Sequence, residues 1–270
     1  MSAPHLTDEQ AAAFERDGFV VVPGLFDSEE VDLLSRIARA DHGLAQQAIN
    51  RHDTGGNVTR LALRNTLSDD VYSAVARSRR IVDSMERLLG GEVYHYHHKM
   101  TMKEPRVGGA WEWHQDYGYW YGNGCLFPYM ASCYVAVDAA TRENGCMQVI
   151  RGSHHMGRVD HGTVADQTGA DLERVEQALK RLELVYCEMA AGDALHFHSN
   201  LLHRSDENRS SLPRWGLICC YNAARNDPYK EHHHPRYTPL EKWADERVRE
   251  VGRRQWEELG ARAGASPPAR

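Results

Sequence analysis

The apolar positions change period near residue 91. Before it they recur mainly at helical spacing. Thr7-Asp8-Glu9-Gln10 has the form of a capping box that opens a short helix through Ala12, Ala13 and Phe14, closed by Asp17-Gly18. Phe19-Val20-Val21-Val22 reads as a strand and Pro23-Gly24 as a turn. Asp27 then caps a helix whose Val31, Leu34, Ile37 and Ala38 share one face. Residues 41–60 show no period and are expected to form a mobile loop. Asp69 to Leu89 is helical again and stops at Gly90-Gly91.

From Glu92 the period is two. Strands are predicted over 92–103, 110–118, 131–138, 146–150, 183–189, 193–198 and 214–222, with Gly, Asn and Pro between them. A charged insertion, 157–182, carries a helix from Asp171 to Leu182, and 240–259 reads as a polar helix. Many short strands after N-terminal helices predict a mainly β fold with a helical buttress, a sandwich or a barrel. No Pro/Gly/Ser-rich linker divides the chain, so one domain is expected over 1–260, with 261–270 as a disordered tail.

Composition narrows the function classes. The 270 residues carry a net charge of −6 with both signs interspersed, so the basic footprint of a nucleic-acid binder is missing. No apolar run has the length of a membrane span, and the first ten residues lack a signal-peptide stretch; a cytoplasmic protein is expected. The six cysteines include no Cys-x-x-Cys and read as buried thiols, with the vicinal Cys219-Cys220 pair as a candidate redox switch.

The chemistry centres on His114-Gln115-Asp116. In an extended segment His114 and Asp116 face the same way, and His203, at the end of a Gly192-to-His198 strand region, supplies a second imidazole. Two histidines and one carboxylate suit non-haem Fe(II), occupying one octahedral face; ligand type alone leaves zinc open. Arg214 follows His203 across a turn and offers a guanidinium fork for a carboxylate. On 92–103, His95, His97, Lys99, Thr101 and Lys103 share one face, and Tyr94, Tyr96, His98, Met100 and Met102 the other. The polar face either meets solvent or lines a cavity. Ser132 and Tyr134, on one face of 131–138, are candidates for the same pocket. Trp111, Trp113, Tyr117, Tyr119, Trp120 and Tyr121 form either an aromatic wall around a water-excluding site or ordinary core. His154, His155, Arg158 and His161, and His232 to Arg236, are basic groups for an anionic substrate or a solvated rim.

Gly108-to-Asp116 (GGAWEWHQD), Arg142-Glu-Asn-Gly-Cys146, Arg151-Gly-Ser-His154 and His203-Arg-Ser…Arg214 resemble the phytanoyl-CoA dioxygenase family, in order from about Leu6 to Tyr237. The resemblance implies a double-stranded β-helix (a cupin-like jelly roll) with its core over 92–222, a helical part over 1–91 and a C-terminal helix over 240–259. It implies Fe(II) on His114, Asp116 and His203, with 2-oxoglutarate as cosubstrate and O2 as oxidant. Arg214, eleven positions past the distal histidine, and Ser205 would hold the far carboxylate of 2-oxoglutarate. Relatives often carry Gln and Asn where this chain has His97 and Thr101, so its cosubstrate contacts depart from the pattern there. Insertions such as 157–182 lie over the mouth of the jelly roll in this family. The expected reaction is hydroxylation of an unactivated C–H bond of a small polar metabolite, an amino acid or natural-product intermediate, with succinate and CO2 released. Desaturation, cyclisation or epoxidation share the same machinery, while a metal-dependent isomerase or hydrolase, or a non-catalytic binder, would need neither Arg214 nor Ser205. Lys99, Trp113, Tyr117 and His154 are the substrate candidates; the oligomeric state is not readable.

Overall fold

The structure, a computed structural model, describes residues 6–164 and 167–264. The first third comprises α1 (Asp8–Asp17), β1 (Phe19–Val22), α2 (Ser28–Ala40), α3 (His42–Gln47), β2 (Ile49–His52), β3 (Val58–Arg64), α4 (Val71–Arg77) and α5 (Arg79–Leu89). Then come β4 (Val93–Lys103), β5 (Trp111–His114), α6 (Asp116–Trp120), β6 (Met130–Ala136) and β7 (Met147–Ile150). The insertion holds β8 (His161–Val164), β9 (Gln167–Ala170) and α7 (Leu172–Leu179). The chain ends with β10 (Leu184–Cys187), β11 (Ala194–His198), β12 (His203–Ser205), β13 (Arg214–Ala223) and α8 (Arg247–Gly264).

Two sheets make the jelly roll. The larger runs β1-β11-β6-β13-β4-β3-β2 and the smaller β10-β7-β12-β5, with β8 and β9 as a separate hairpin. Alternation along β13 explains how the larger sheet serves two layers. Leu217, Cys219 and Tyr221 join Ile37, Val75, Ile81 and Met85 in a core under the helices. Ile218 and Cys220 join Tyr94, Tyr134, Met147, Val149 and Phe197 in a second core that includes residues of the smaller sheet.

The even alternation predicted for 92–103 fails at one place. β13 pairs with β4 as Cys220↔His97 and then Tyr221↔His95, so Tyr96 is an extra residue in a bulge. The bulge reverses the phase. Tyr94 and Tyr96 lie in the inner core, whereas Met100 and Met102 face the helices. His95 leaves the face of Lys99 and bonds His98 across the bulge at 3.0 Å.

Other expectations are revised. Residues 41–60 form α3 and the β2–β3 edge hairpin, with Asp41 capping α3 and Asp53 Oδ1 accepting from Gly55 N (2.9 Å) and Asn57 N (2.8 Å) in the turn. An edge strand with one solvated face needs little apolar alternation, so the pattern was silent. The N-terminal part is therefore not purely helical, since β1, β2 and β3 belong to the larger sheet. The helix expected over 69–89 breaks at Ser78, where the chain around Trp243 inserts: Trp243 N donates to Arg77 O (2.9 Å) and Arg79 N to Trp243 O (3.0 Å). That use of Trp243 keeps the segment before Arg247 out of the C-terminal helix, which begins later than predicted and runs to Gly264. Of the expected tail, 265–270 lie outside the described residues.

Several imidazoles are buried in this fold. Burial pushes His98 and His196 down to about 4 and, with His154 and His155 nearby, His198 to about 3. Their folded values lie below the unfolded value of about 6.5, so their contribution is complete above that pH and is lost as pH falls towards the folded values. The urea midpoint is expected to fall steadily between about pH 6.5 and pH 4. A midpoint flat across that window would contradict neutral burial of these rings.

Candidate metal centre

His114 ends β5 and His203 opens β12, and the antiparallel register sets them directly opposite one another. Their ring centroids are 4.0 Å apart. Gln115 stays extended (φ −113°, ψ 136°), which returns Asp116 to the face of His114 although Asp116 already begins α6. The strand predicted over 110–118 thus ends early, without loss of the ligand geometry. One ligand atom from each of His114, Asp116 and His203 lies within 4.8 Å of the others, and all three residues are buried. Among the described residues no other group of three His, Cys, Asp or Glu converges in this way.

The donor atoms are prepared for a metal. His114 Nδ1 lies 2.8 Å from Glu112 O and His203 Nδ1 2.9 Å from Leu201 O. A carbonyl only accepts, so each Nδ1 carries the hydrogen and each Nε2 is left with its lone pair. Burial, with His203 adding to it for His114, holds both imidazoles below their usual range, in the neutral form a metal requires. Asp116 Oδ2 accepts from Ser132 Oγ at 3.0 Å, while Oδ1 lies 3.9 Å from His114 Nε2. Two neutral nitrogens and one carboxylate, with no thiolate among them, fit Fe(II) with three positions left open.

The residue between the ligands secures the strand. Gln115 is fully buried; its Nε2 donates to Gly157 O (2.8 Å) and Asn200 O (2.7 Å), and its Oε1 accepts from Val159 N (2.7 Å). Its own N–H donates to His161 Nε2 at 2.9 Å. A Cβ on Gly118 would fall 2.2 Å from the His161 ring, so glycine is needed there for close packing. Gln167 accepts from Glu112 N (3.0 Å) and donates to Ala110 O (3.1 Å). Instead of lying free over the mouth, the insertion splints the ligand strand from outside. In the sequence Gln115 is visible only as the spacer between the ligands and His161 only as a basic group, and Gln167 carries no motif that singles it out.

A cavity reaches the triad and is walled by Thr59 and Leu61 of β3, Thr101, Trp111, Tyr134, Met147, Phe197 and Ile218. Four cations also line it: Lys99, Lys103, Arg204 and Arg214. Arg214 donates through Nε (3.0 Å) and Nη2 (2.7 Å) to Gly145 O and through Nη1 to Tyr134 Oη (3.4 Å). Lys103, read before only as one of a polar face, is 1 % exposed; its Nζ donates to Ser205 Oγ (2.8 Å) and Asp206 O (2.5 Å). Neither Lys103 nor Arg214 has a carboxylate within salt-bridge distance among the described residues. Burial, with Arg214 adding to it, pushes Lys103 well below the usual lysine range.

Of the residues singled out beforehand, Arg214, Ser205, Thr101, Tyr134 and Lys99 line the cavity with the triad. Thr101 Oγ1 donates to Gly216 O at 3.1 Å. Ser132 does not line it but orients Asp116, and its Oγ lies 3.2 Å from Cys220 Sγ. His97 is not among the residues that line the cavity; it is buried and stacked on His234 (centroids 4.8 Å apart). Trp113 points the other way, into a core with Ile150, Val175 and Leu202. Residues two apart share a face in an even strand, but the pairing of β5 with β12 steps from His203↔His114 to Ser205↔Trp111, and this bulge turns Trp111 to the cavity wall. Tyr117 packs in the inner core with its Oη donating to Cys125 O (3.0 Å). His154 is remote, bonded to Glu15 O of α1 at 3.0 Å. The six cysteines are all buried and unpaired, and burial raises the Cys220 thiol to about 12.

The model of the family described as phytanoyl-CoA dioxygenase (PhyH) matches residues 14–216. The chain is 29% identical over 245 residues to an L-proline trans-4-hydroxylase of Streptomyces griseoviridis, covering 84% of this chain and 90% of that one. It is 29% identical over 239 residues to an ectoine dioxygenase of Sphingopyxis alaskensis, covering 82% and 77%. The crystal structure of EctD from S. alaskensis with 2-oxoglutarate and 5-hydroxyectoine superposes with a TM-score of 0.74 at 25% identity, covering 88% of each chain. The chain belongs to the phytanoyl-CoA dioxygenase family. It is an Fe(II)- and 2-oxoglutarate-dependent dioxygenase with a double-stranded β-helix fold. Among the described residues no helix is long and apolar enough to cross a membrane.

The Ser132–Asp116 bond fixes which carboxylate oxygen is presented to a metal. Ser132→Ala is expected to weaken Fe(II) binding by roughly 10- to 100-fold, read by anaerobic equilibrium dialysis. Unchanged affinity would mean that Ser132 has no hold on the ligand.

Proposed function

We propose that the enzyme hydroxylates a C–H bond of a small, polar, amino-acid-like metabolite, with His114, Asp116 and His203 holding Fe(II). Arg214 and Ser205, joined by Lys103, hold the far carboxylate of 2-oxoglutarate. The observation that carries this reading is the pair of buried cations, Lys103 and Arg214, at one end of the cavity with no carboxylate partner among the described residues. Two buried like charges without a counter-ion are costly, and a dicarboxylate cosubstrate supplies the missing anion. The substrate class follows from the likeness to hydroxylases named for L-proline and ectoine.

When bound, Fe(II) and 2-oxoglutarate supply the oxidative chemistry: decarboxylation to succinate and CO2 coupled to insertion of oxygen into the substrate. The chain's own residues place the reactants. The Glu112 and Leu201 carbonyls keep both Nε2 lone pairs available, and Ser132 keeps one oxygen of Asp116 out of competition. Gly145 O and Tyr134 Oη fix the Arg214 guanidinium so that its fork is oriented before the carboxylate arrives. Lys103, anchored by Ser205 and Asp206, adds charge from the neighbouring strand. Phe197, Trp111, Met147 and Ile218 exclude water from the triad.

Substrate-dependent succinate release tests the assignment. Asp116→Ala is expected to abolish both Fe(II) binding and succinate formation, and His114→Ala and His203→Ala to do the same. Arg214→Ala and Lys103→Met should each raise the half-saturation for 2-oxoglutarate, with a loss of about 2–5 kcal/mol for a desolvated pair. Asp116→Ala retaining iron, or 2-oxoglutarate dependence unaltered in both cation variants, would sink the assignment.

A further inference from the structure

A second anion position lies along β4, beyond the one assigned to 2-oxoglutarate. Lys103, Thr101, Lys99 and His97 pair in unbroken register with Arg214, Gly216, Ile218 and Cys220, so they form one inward-facing row. At about 3.3 Å per residue, Lys99 lies roughly 13 Å and His97 roughly 20 Å from Lys103 along the strand. A five-carbon diacid seated on Lys103 and Arg214 does not span the distance to His97.

The residues at that far end lack partners. Lys99 is half-buried, lines the cavity, and has no hydrogen bond or carboxylate partner among the described residues. His97 is 2 % exposed, and neither ring nitrogen has a hydrogen-bond partner. An imidazole always presents a donor or an acceptor at each nitrogen, so leaving both unmade inside a protein is costly. One face of His97 is covered by His234 at an interplanar angle of 26°, with Trp120 edge-on at 5.8 Å. Lys99 lines the cavity together with His114 and His203 and is the next residue of the row after His97. His234 is held over the row by its Nδ1 contact with Asn65 Oδ1 (2.9 Å), and Asn65 Nδ2 donates to His233 O (2.9 Å).

We propose that Lys99, His97 and His234 form the substrate's anion subsite, and that the prime substrate carries a carboxylate which Lys99 neutralises and His97 hydrogen-bonds. This rests on the function proposed above and adds the charge of the substrate to it. A carboxylate there supplies the acceptor that His97 lacks and the counter-ion that Lys99 lacks, and it anchors the rest of the molecule towards the metal.

The test uses the full chain with Fe(II) and 2-oxoglutarate, challenged with free cyclic and acyclic amino acids, L-proline among them, each against its primary amide, in which an uncharged carboxamide replaces the carboxylate. Succinate release and anaerobic equilibrium binding are both read. The acids should bind at least ~10-fold more tightly than the matched amides. Lys99→Met should raise the acid's half-saturation by ~10-fold or more, move that of 2-oxoglutarate less than about two-fold, and erase the acid-over-amide preference. His97→Asn, which keeps a donor and an acceptor, should retain more acid binding than His97→Leu. Amides equal to acids in the unmodified enzyme, stimulation by uncharged compounds alone, or a Lys99→Met effect confined to 2-oxoglutarate would overturn the subsite. Each of those results leaves 2-oxoglutarate turnover intact, whereas failure of the underlying function shows as no 2-oxoglutarate consumption with any probe.

Discussion

The site depends on one cross-strand pairing. His203 and His114 are register partners in the smaller sheet, so two imidazoles that are far apart in sequence become neighbours through backbone hydrogen bonds. A slip by one residue would turn either ring to the opposite face. Each ring is then fixed by the carbonyl two residues before it in its own chain, Glu112 for His114 and Leu201 for His203. The same short-range device, used twice, orients both nitrogen donors without recruiting another side chain.

Around that pairing the protein trades stability for function. Lys103 and Arg214 are buried and hydrogen-bonded to neutral groups but have no carboxylate partner among the described residues, and the buried His97 ring has no hydrogen-bond partner, all costly arrangements. Elsewhere the fold neutralises its buried charge: Arg80 is bonded twice to Glu30 at 2.8 Å and also to Leu25 O. Lys99, Lys103 and Arg214, cations without a carboxylate partner among the described residues, all line the cavity, which suits the anion binding proposed for it.

The insertion and the edge hairpin have structural duties as well as positions near the site. Gln115, His161 and Gln167 bond the ligand strand from outside, while Thr59 and Leu61 supply a cavity wall from β3. Asp53, in the hairpin turn, accepts from Ala110 N at 2.8 Å and so ties β2–β3 to the start of the ligand segment. Segments without a strong hydrophobic period thus hold the residues that have one.

Local sequence determined much of this protein. The capping boxes at Thr7 and Asp27, the strands β4, β5, β6, β7, β10, β11 and β13, the spacing of His114 and Asp116, and the turn from His203 to Arg214 follow from short-range pattern, because caps, turns and alternation are set by neighbouring residues. The motif blocks around the triad added the family and its cosubstrate. What sequence could not supply was the environment of each side chain. The bulge at Tyr96 is visible only in the pairing with β13, and it moved His95 away from Lys99 and Tyr94 into the inner core. Trp111 reaches the cavity and Trp113 does not because β5 is bulged between His114 and Trp111, which only its pairing with β12 shows. Ser132 found Asp116 from a strand of the other sheet, and His154 found α1 instead of the substrate cavity. These are long-range outcomes: strand register and layer packing choose each side chain's partners, and they are settled only when the whole sheet has closed on its core.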